Sequence, residues 1–506
     1  MIIKSRSITR GAAALCLAML YGFASVPAHA APKTIQNDVF WKDTGNNPIY
    51  SQGGGILKVG STYYWYGAKY NGAVTYAANP VAKNDDTSFN AVTVYSSTDL
   101  ATWKFEGNAL SAAPGTIFDP AIWLGRMGVV YNSNTKKYVL LTQYYQSASL
   151  SGVLFATSDT PVGPFTYDHV QASITNVSSA GTGDQTIYTD TDGASYLIFS
   201  NAGGRQRSYV APLRASDSLN IEPATNVFLN SVGREGNAMF KNNGTYYFCA
   251  SDLHGWNASQ TYCRSANAIN GPYTSEFVLA GSEADFSHVT QNGFFVQVNG
   301  SAASTVLYAG DRWSDFAGNG IGYNQWMPIS FSGTTPRLNS LSQFSLDAAT
   351  GTWSVGAGNN YSLNPSFEAD RVAQTALAGW LDWTNLADVN PNSNVLGGHT
   401  GRWATQHKHT AAYSASRYQN LTGLPNGTYT LKAWVKSSGG QGTAQVYVKN
   451  YGGAEIDYSV NTPIASWTQI TIPNIAVTNG KATLGIYSVA NANNWLLADD
   501  FSFVKN

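Results

Sequence analysis

One pattern recurs along the first two thirds of the chain and restricts its fold more than any other feature. An apolar strand is followed by a short polar turn with Gly or Lys, then by an aromatic strand, and in several cases by a weaker third strand. The instances are Gly55-Ile-Leu-Lys-Val-Gly-Ser-Thr-Tyr-Tyr-Trp-Tyr66 and residues 129–141, 186–199, 238–248 and 294–310. Partner strands follow at 92–100, 153–159 and 261–266. Five similar sheet units, some tens of residues apart, are the signature of a propeller whose blades close around a channel. The pattern predicts a five-bladed β-propeller over residues 31–355. First strands of blades point their opening residues at the channel, so candidate site residues are sought there.

With 506 residues the chain is too long for one core, and a second domain is expected. Residues 345–360 are rich in Gly, Ala and Asn and read as a linker. From Asn364 the pattern changes to short alternating strands at 427–435, 442–448, 467–472, 481–487 and 495–503. This predicts a β-sandwich of jelly-roll type over 360–506, so the fold class is all-β throughout. Few charged residues (12%), many aromatics (13%) and 49 Gly fit an all-β exported protein with sugar-facing surfaces. A formal net charge of −1 gives no electrostatic case for nucleic acid or an anionic membrane as partner. A monomer is expected.

Residues 1–30 read as a secretory signal. Lys4, Arg6 and Arg10 precede an apolar run, and Ala28-His29-Ala30 is an A-x-A cleavage site. No later stretch is long enough to span a bilayer. Secretion, to the periplasm or the medium, is therefore expected. Cys16 leaves with the signal, and Cys249 and Cys263 remain on either side of a hairpin loop with Trp256 in its middle. In an exported protein a disulfide is the natural reading; two buried thiols on neighbouring strands are the alternative.

The stretch Ser231-Val-Gly-Arg234-Glu235-Gly-Asn-Ala-Met-Phe240 leads into the turn Asn242-Asn243-Gly244 and a second strand. Asn-Gly is a strong hairpin signal because both residues accept positive φ. A carboxylate at the start of a buried strand should face a closed cavity. Desolvation there raises its pKa and suits it to general-acid work. The simpler alternative is an Arg234–Glu235 ion pair at a strand end.

Several motifs together resemble glycoside hydrolase family 43. They are Glu235 before Met-Phe with its Gly-turn-Tyr-Tyr hairpin, Gly271-Pro-Tyr, Tyr308-Ala-Gly-Asp-Arg-Trp313 and Tyr323-Asn-Gln-Trp-Met-Pro328. Gln52-Gly-Gly-Gly-Ile56, Tyr63-Tyr-Trp-Tyr-Gly67 and Tyr95-Ser-Ser-Thr-Asp-Leu-Ala-Thr-Trp103 are similar too, and the nearest branch is that of the exo-β-1,3-galactanases. The resemblance implies a five-bladed propeller, inversion of configuration and no catalytic cofactor. It also implies a general-acid glutamate at Glu235. Gln52, Tyr66, Arg126, Arg234, Trp256, Asp311, Arg312 and Trp326 lie in or beside these motifs as candidate sugar contacts.

The chain departs from the family in two places. The base aspartate of most members is missing at the first blade, where the chain reads Asn47-Pro-Ile-Tyr-Ser-Gln-Gly-Gly-Gly. The galactanase-like branch also lacks it, and the glutamine proposed there to assist water matches Gln291. A glutamate usual before the second blade is replaced in Gly125-Arg126-Met-Gly. The nearest acid is Asp119, as base, sugar ligand or Asx turn before Pro120. Asp184 matches an acidic position that could raise the acid's pKa or hold a hydroxyl. Gln291 or Asp119 is expected about 6.5–9.5 Å from Glu235, leaving room for water.

The C-terminal unit resembles a carbohydrate-binding module. Asn364-Pro-Ser-Phe-Glu368 and Asp499-Asp-Phe-Ser-Phe503 resemble terminal strands that often share a structural Ca²⁺, and Glu368 and Asp500 would supply hard oxygen ligands. Trp380, Trp383, Trp403 and Trp495 are candidates for stacking on sugar, against the commoner fate of a sandwich Trp in the core. Two functional classes follow: an exo-acting glycosidase on a galactose-containing polysaccharide, or a glycan-binding propeller without catalysis. Arabinofuranosides and galactofuranosides are the alternative substrates within the first class.

Overall fold

Five four-stranded antiparallel sheets follow one another along the chain in the computed structural model, which describes residues 1, 31–79, 84–313, 323–370 and 372–506. Their first strands are Gln52–Val59, Trp123–Asn132, Thr182–Thr189, Glu235–Asn242 and Gln291–Asn299. Each sheet is built in chain order by hairpins. The expected Asn-Gly turn is present: Asn243 and Gly244 have φ of +47° and +84°, and Asn242 pairs with Thr245.

First strands of successive sheets lie against one another. Thr186 Oγ1 donates to the Asn237 carbonyl at 2.9 Å. A Cβ on Gly236 would meet the Asn292 carbonyl oxygen at 2.4 Å, so only glycine lets the fourth and fifth sheets approach there. The fifth and first sheets share a core in which Phe294, Val296 and Trp326 join Tyr63, Trp65 and Trp103.

Residues 345–360, expected as a linker, are in part sheet. Gln343–Asp347 pairs with Thr352–Val355 on one side and with the N-terminal strand Lys33–Gln36 on the other, Lys33 opposite Leu346. The reason is burial: Phe344 and Leu346 are fully enclosed and hold this small sheet on the shared core.

After it, two five-stranded sheets face each other across one hydrophobic core. Gly427–Ser437 shows the cause, with Tyr429, Leu431, Ala433 and Val435 buried at every second position. Residues 32–506 form one compact unit. The signal-peptide expectation, with Cys16, falls outside the described residues apart from Met1. Among the described residues no helix is long and apolar enough to cross a membrane. Cys249 and Cys263 stand directly opposite on adjacent strands and are disulfide-bonded.

Candidate active site

A bulge interrupts the register at the start of all five first strands, after Gln52, Leu124, Thr182, Glu235 and Asn292. A bulge re-aims the side chains beside it. Gln52, Arg126, Asp184, Glu235 and Gln291, one from each sheet, line a common cavity of about 240 Å³. Trp123, Trp256 and Trp313 supply its aromatic wall. Polar groups that fix orientation beside flat apolar faces are what a sugar site requires.

Glu235 is buried, with its two oxygens held apart by different donors. Gln291 Nε2 donates to Oε1 at 2.8 Å, and Arg205 Nη1 donates to Oε2 at 2.5 Å. Burial, and then the charge of Asp184, push its pKa up to about 7 against the opposing pull of Arg205 and Arg126. Asp184 goes the other way. Burial raises it, but Arg126, Arg205 and the Gly236 amide outweigh burial and hold it below its ordinary value. Two neighbouring carboxyls with pKa values driven apart are suited to one acid and one permanent anion.

Gln291 is oriented by four contacts. Its Oε1 accepts from Arg126 Nη2 at 2.8 Å and Trp313 Nε1 at 2.9 Å; its Nε2 reaches Glu235 and, at 3.3 Å, the Gly255 carbonyl. Arg126 also pairs with Asp311 at 2.8 Å and with Asp184 at 3.3 Å. Asp311 lies behind Arg126, and burial pushes its pKa up although Arg126 opposes the shift. Trp256 packs edge-on against Trp313 with centroids 4.7 Å apart.

Other expected residues lie elsewhere. Asp119 does not line the cavity; it closes a surface turn, accepting from the Gly115 and Ala121 amides at 2.7 and 2.9 Å. The Gly115 and Ala121 amides hold its carboxyl below its ordinary value. Gln291 touches Glu235 and so does not stand 6.5–9.5 Å across from it. Arg234 does not line the cavity: Asp252 and Glu276 take its guanidinium, which lies 3.9 Å over the Tyr262 ring. Tyr66 and Trp326 are fully buried, the first donating to the Pro161 carbonyl and the second packed on Trp65. Arg312 faces Asp38 at 3.3 Å. Gln52 and Trp256 do line the cavity.

Sequence reasoning missed Arg205, Trp123, Gln143 and Trp313. Arg205 follows Gly203-Gly204 in a loop, with φ of +50°, and the double glycine was its only signal. Trp313 ends a motif quoted for its Asp and Arg. Trp123 explains Gly125: a Cβ there would meet Trp123 Cη2 at 2.3 Å and Gln143 Oε1 at 2.4 Å. The space beside the missing glutamate is filled by an indole ring and an amide.

In the C-terminal sheets Trp380 and Trp403 are core, Trp495 is half-buried, and Trp383 is 48% exposed. Trp383 lies on one sheet face with Tyr418, Tyr447 and Tyr487 around a groove of about 470 Å³. Glu368 and Asp500 converge on one loop. Glu368 Oε1 accepts from the Arg402 and Trp403 amides at 2.8 and 2.7 Å, and Asp500 faces His399 Nδ1 at 2.6 Å. Among the described residues no group of three or more His, Cys, Asp or Glu side chains stands in metal-binding geometry.

The sequence pattern of glycosyl hydrolases family 43 matches residues 46–321. Among solved structures, the chain is similar to an exo-beta-1,3-galactanase from Phanerochaete chrysosporium crystallised with beta-1,3-galactotriose. Identity is 23%, the TM-score 0.56, and the match covers 92% of this chain and 99% of that one. An exo-beta-1,3-galactanase from Clostridium thermocellum matches at 20% identity and TM-score 0.57, covering 94% and 100%. At these identities the likeness is one of fold. A 1,6-alpha-glucosyltransferase from Sporosarcina globispora is 26% identical over 155 residues, 28% of this chain. The chain spans 12% of the length of that curated relative.

Proposed function

The chain belongs to the glycosyl hydrolases of family 43, and on that premise we propose that it is an inverting exo-glycosidase releasing galactose from β-1,3-linked galactan. In this reading residues 31–355 are a closed five-bladed propeller that carries the catalysis. Residues 360–506 are a jelly-roll module that holds the polysaccharide. The observation that carries the reading is Glu235: a carboxyl in an aromatic-walled cavity with its pKa pushed up to about 7. Glu235 protonates the departing glycosidic oxygen, and Asp184, kept ionised by Arg126 and Arg205, keeps that proton on Glu235. Galactose as the sugar draws its support from the solved structures of similar fold.

One observation favours the second reading, glycan binding without cleavage. Glu235 and Asp184 are the only carboxylates among the described residues of the cavity wall, and both touch Arg205. Incubation with β-1,3-galactan, arabinan and galactofuranan separates these readings. Galactose release from galactan alone is expected; binding without release from any polymer would favour the second. NMR of the first-formed anomer reads the stereochemistry.

Export belongs to the proposal, supported by the Cys249–Cys263 disulfide. So does a structural Ca²⁺ at Glu368 and Asp500. It draws support from Asp499, which is pushed well above its ordinary value by burial and then by the Asp500 and Glu368 charges. A melting temperature that rises with calcium and falls with chelator is the expected result.

A further inference from the structure

Immediately before Gln291 the backbone makes a turn of the wrong hand. Phe286, Ser287, His288 and Val289 have φ of +52°, +57°, +57° and +59°. None is glycine, and Val289 is β-branched, for which this region is a true outlier. Left-handed backbone drives each Cβ toward the next carbonyl oxygen, so L-residues visit it singly and not in runs. Four in succession persist only where the surroundings over-determine them, and such segments gather at functional sites.

The surroundings here are specific. Within the turn, Val289 N donates to the Asp285 carbonyl at 2.9 Å and Thr290 N to the Phe286 carbonyl at 3.0 Å. The Asp285 side chain accepts from His288 N at 2.9 Å. The His288 ring is gripped on both nitrogens, Nδ1 by Ser340 Oγ at 2.8 Å and Nε2 by Asp38 Oδ2 at 3.1 Å. Ser340 Oγ donates to Asp285 Oδ2 at 2.5 Å, and Gln325 Nε2 donates to the His288 carbonyl at 3.1 Å. Phe286 and Val289 pack with Ala258, and with Ala369 and Ala378 from beyond residue 360. Ser287 Oγ donates to the Ser259 carbonyl at 2.9 Å, and Ser259 N to the Thr290 carbonyl at 3.1 Å. The turn is thereby stitched to the loop that carries Gly255 and Trp256.

We infer that His288 is a positioning residue: clamped between Asp38 and Ser340, it holds the left-handed turn that delivers Gln291 to Glu235. It is not among the residues that line the cavity. Its effect passes through Gln291, which begins the next strand two residues after the turn and is fixed in register opposite Asp311. The inference rests on Glu235 being the general acid.

A consequence distinguishes positioning from mere support of the fold. Gln291 donates to a Glu235 oxygen, which favours the ionised carboxylate. Misplacing Gln291 removes that donor and leaves Glu235 facing Asp184, Arg205 and Arg126. Its pKa then rises, and the alkaline limb of the pH–rate profile moves to higher pH. The charged and titratable groups facing His288 are Asp38 and Asp285, with Arg312 acting through Asp38.

The test is a double-substitution cycle assayed on β-1,3-galactobiose. His288→Gln should lower kcat about 10–100-fold, the scale of a slight misplacement at a reacting centre, with KM nearly unchanged. Gln291→Ala should shift the alkaline limb the same way, and the double variant should be no slower than Gln291→Ala alone. Ser340→Ala, a smaller lesion in the same clamp, should give a weaker shift of the same sign and decides the question if His288→Gln does not fold. Additive losses, or a lowered melting temperature with an unmoved limb and unchanged kcat, would overturn the inference. If Glu235→Gln costs nothing, the acid assignment fails instead.

Discussion

Gln291 donates its side-chain amide to Oε1 of Glu235 at 2.8 Å, joining the fourth and fifth sheets inside the cavity. Together with Arg205 Nη1, which donates to Oε2 at 2.5 Å, it holds the carboxyl in one orientation. Replacing Glu235 with Gln keeps shape and hydrogen bonding but removes the titratable proton. Turnover of β-1,3-galactobiose should fall by about 10²–10⁴-fold, the usual worth of general-acid catalysis. An aryl galactoside with a good leaving group should lose less. Retained disaccharide turnover would remove Glu235 from the mechanism.

The pH dependence has a definite sign. A general acid works protonated, and burial with the Asp184 charge brings Glu235 up to about 7. The alkaline limb of kcat/KM should therefore fall through pH about 7, well above an ordinary carboxyl. Asp184→Asn removes the charge that raises Glu235, so the limb should move to lower pH. A limb that stays in place in that variant would reject the electrostatic account.

Much of this site could be read in the chain because it repeats. A strand start is the same place in every sheet, which marks Glu235 as a candidate, while Asp184, Gln291 and Arg126 follow from the family motifs at or beside those starts. What could not be read depends on tertiary contact. Arg205 comes from a loop, and its place between Glu235 and Asp184 exists only once the third and fourth sheets adjoin. Arg234 looked like a sugar ligand because its counterions, Asp252 and Glu276, lie 18 and 42 residues further on. Lys33 pairs with Leu346 across most of the chain's length, a contact that local composition does not carry, so residues 345–360 read as a linker from their composition alone. Local composition also cannot tell which face of a strand carries water, which separates Trp383 from Trp403.

The disulfide should carry measurable stability. Cys249 and Cys263 are fully buried and separated by 14 residues, a loop whose closure is worth about 3 kcal/mol in the chain-entropy account. Reduction, or the Cys249→Ala/Cys263→Ala variant, should lower the unfolding free energy by about that amount. Denatured but unreduced protein should take up no alkylating reagent at either residue; labelling of both would show that the bond does not form.

The His288 clamp predicts a second pH effect, on stability. Burial pulls the imidazole pKa down, but the Asp38 charge and the hydrogen bonds of Asp285 and Asp38 outweigh burial and raise it to about 10. A histidine whose folded pKa exceeds its unfolded value, about 6.5, stabilises fully below that value. The contribution is lost as pH rises toward about 10. The melting temperature of the protein relative to His288→Gln should therefore shrink across that window. A difference that stays constant from pH 6 to pH 10 would mean the imidazolium contributes nothing.

Trp380, Trp403 and Trp383 of the C-terminal sheets should separate into two kinds. Trp380 and Trp403 sit in the core between the two sheets, where truncating so large a side chain costs about 3–5 kcal/mol. Trp380→Ala and Trp403→Ala should lower the melting temperature. Trp383 is half exposed beside Tyr487, with ring centroids 6.4 Å apart, and removing it takes little from the core. Flat, exposed rings are what the apolar face of a sugar stacks on. Trp383→Ala should leave the melting temperature and the turnover of a soluble aryl galactoside nearly unchanged while weakening retention on insoluble galactan. The two effects must go together. Loss of aryl galactoside turnover in Trp383→Ala would mean that the groove acts on the catalytic cavity, and full retention on galactan would mean that the polymer is held elsewhere.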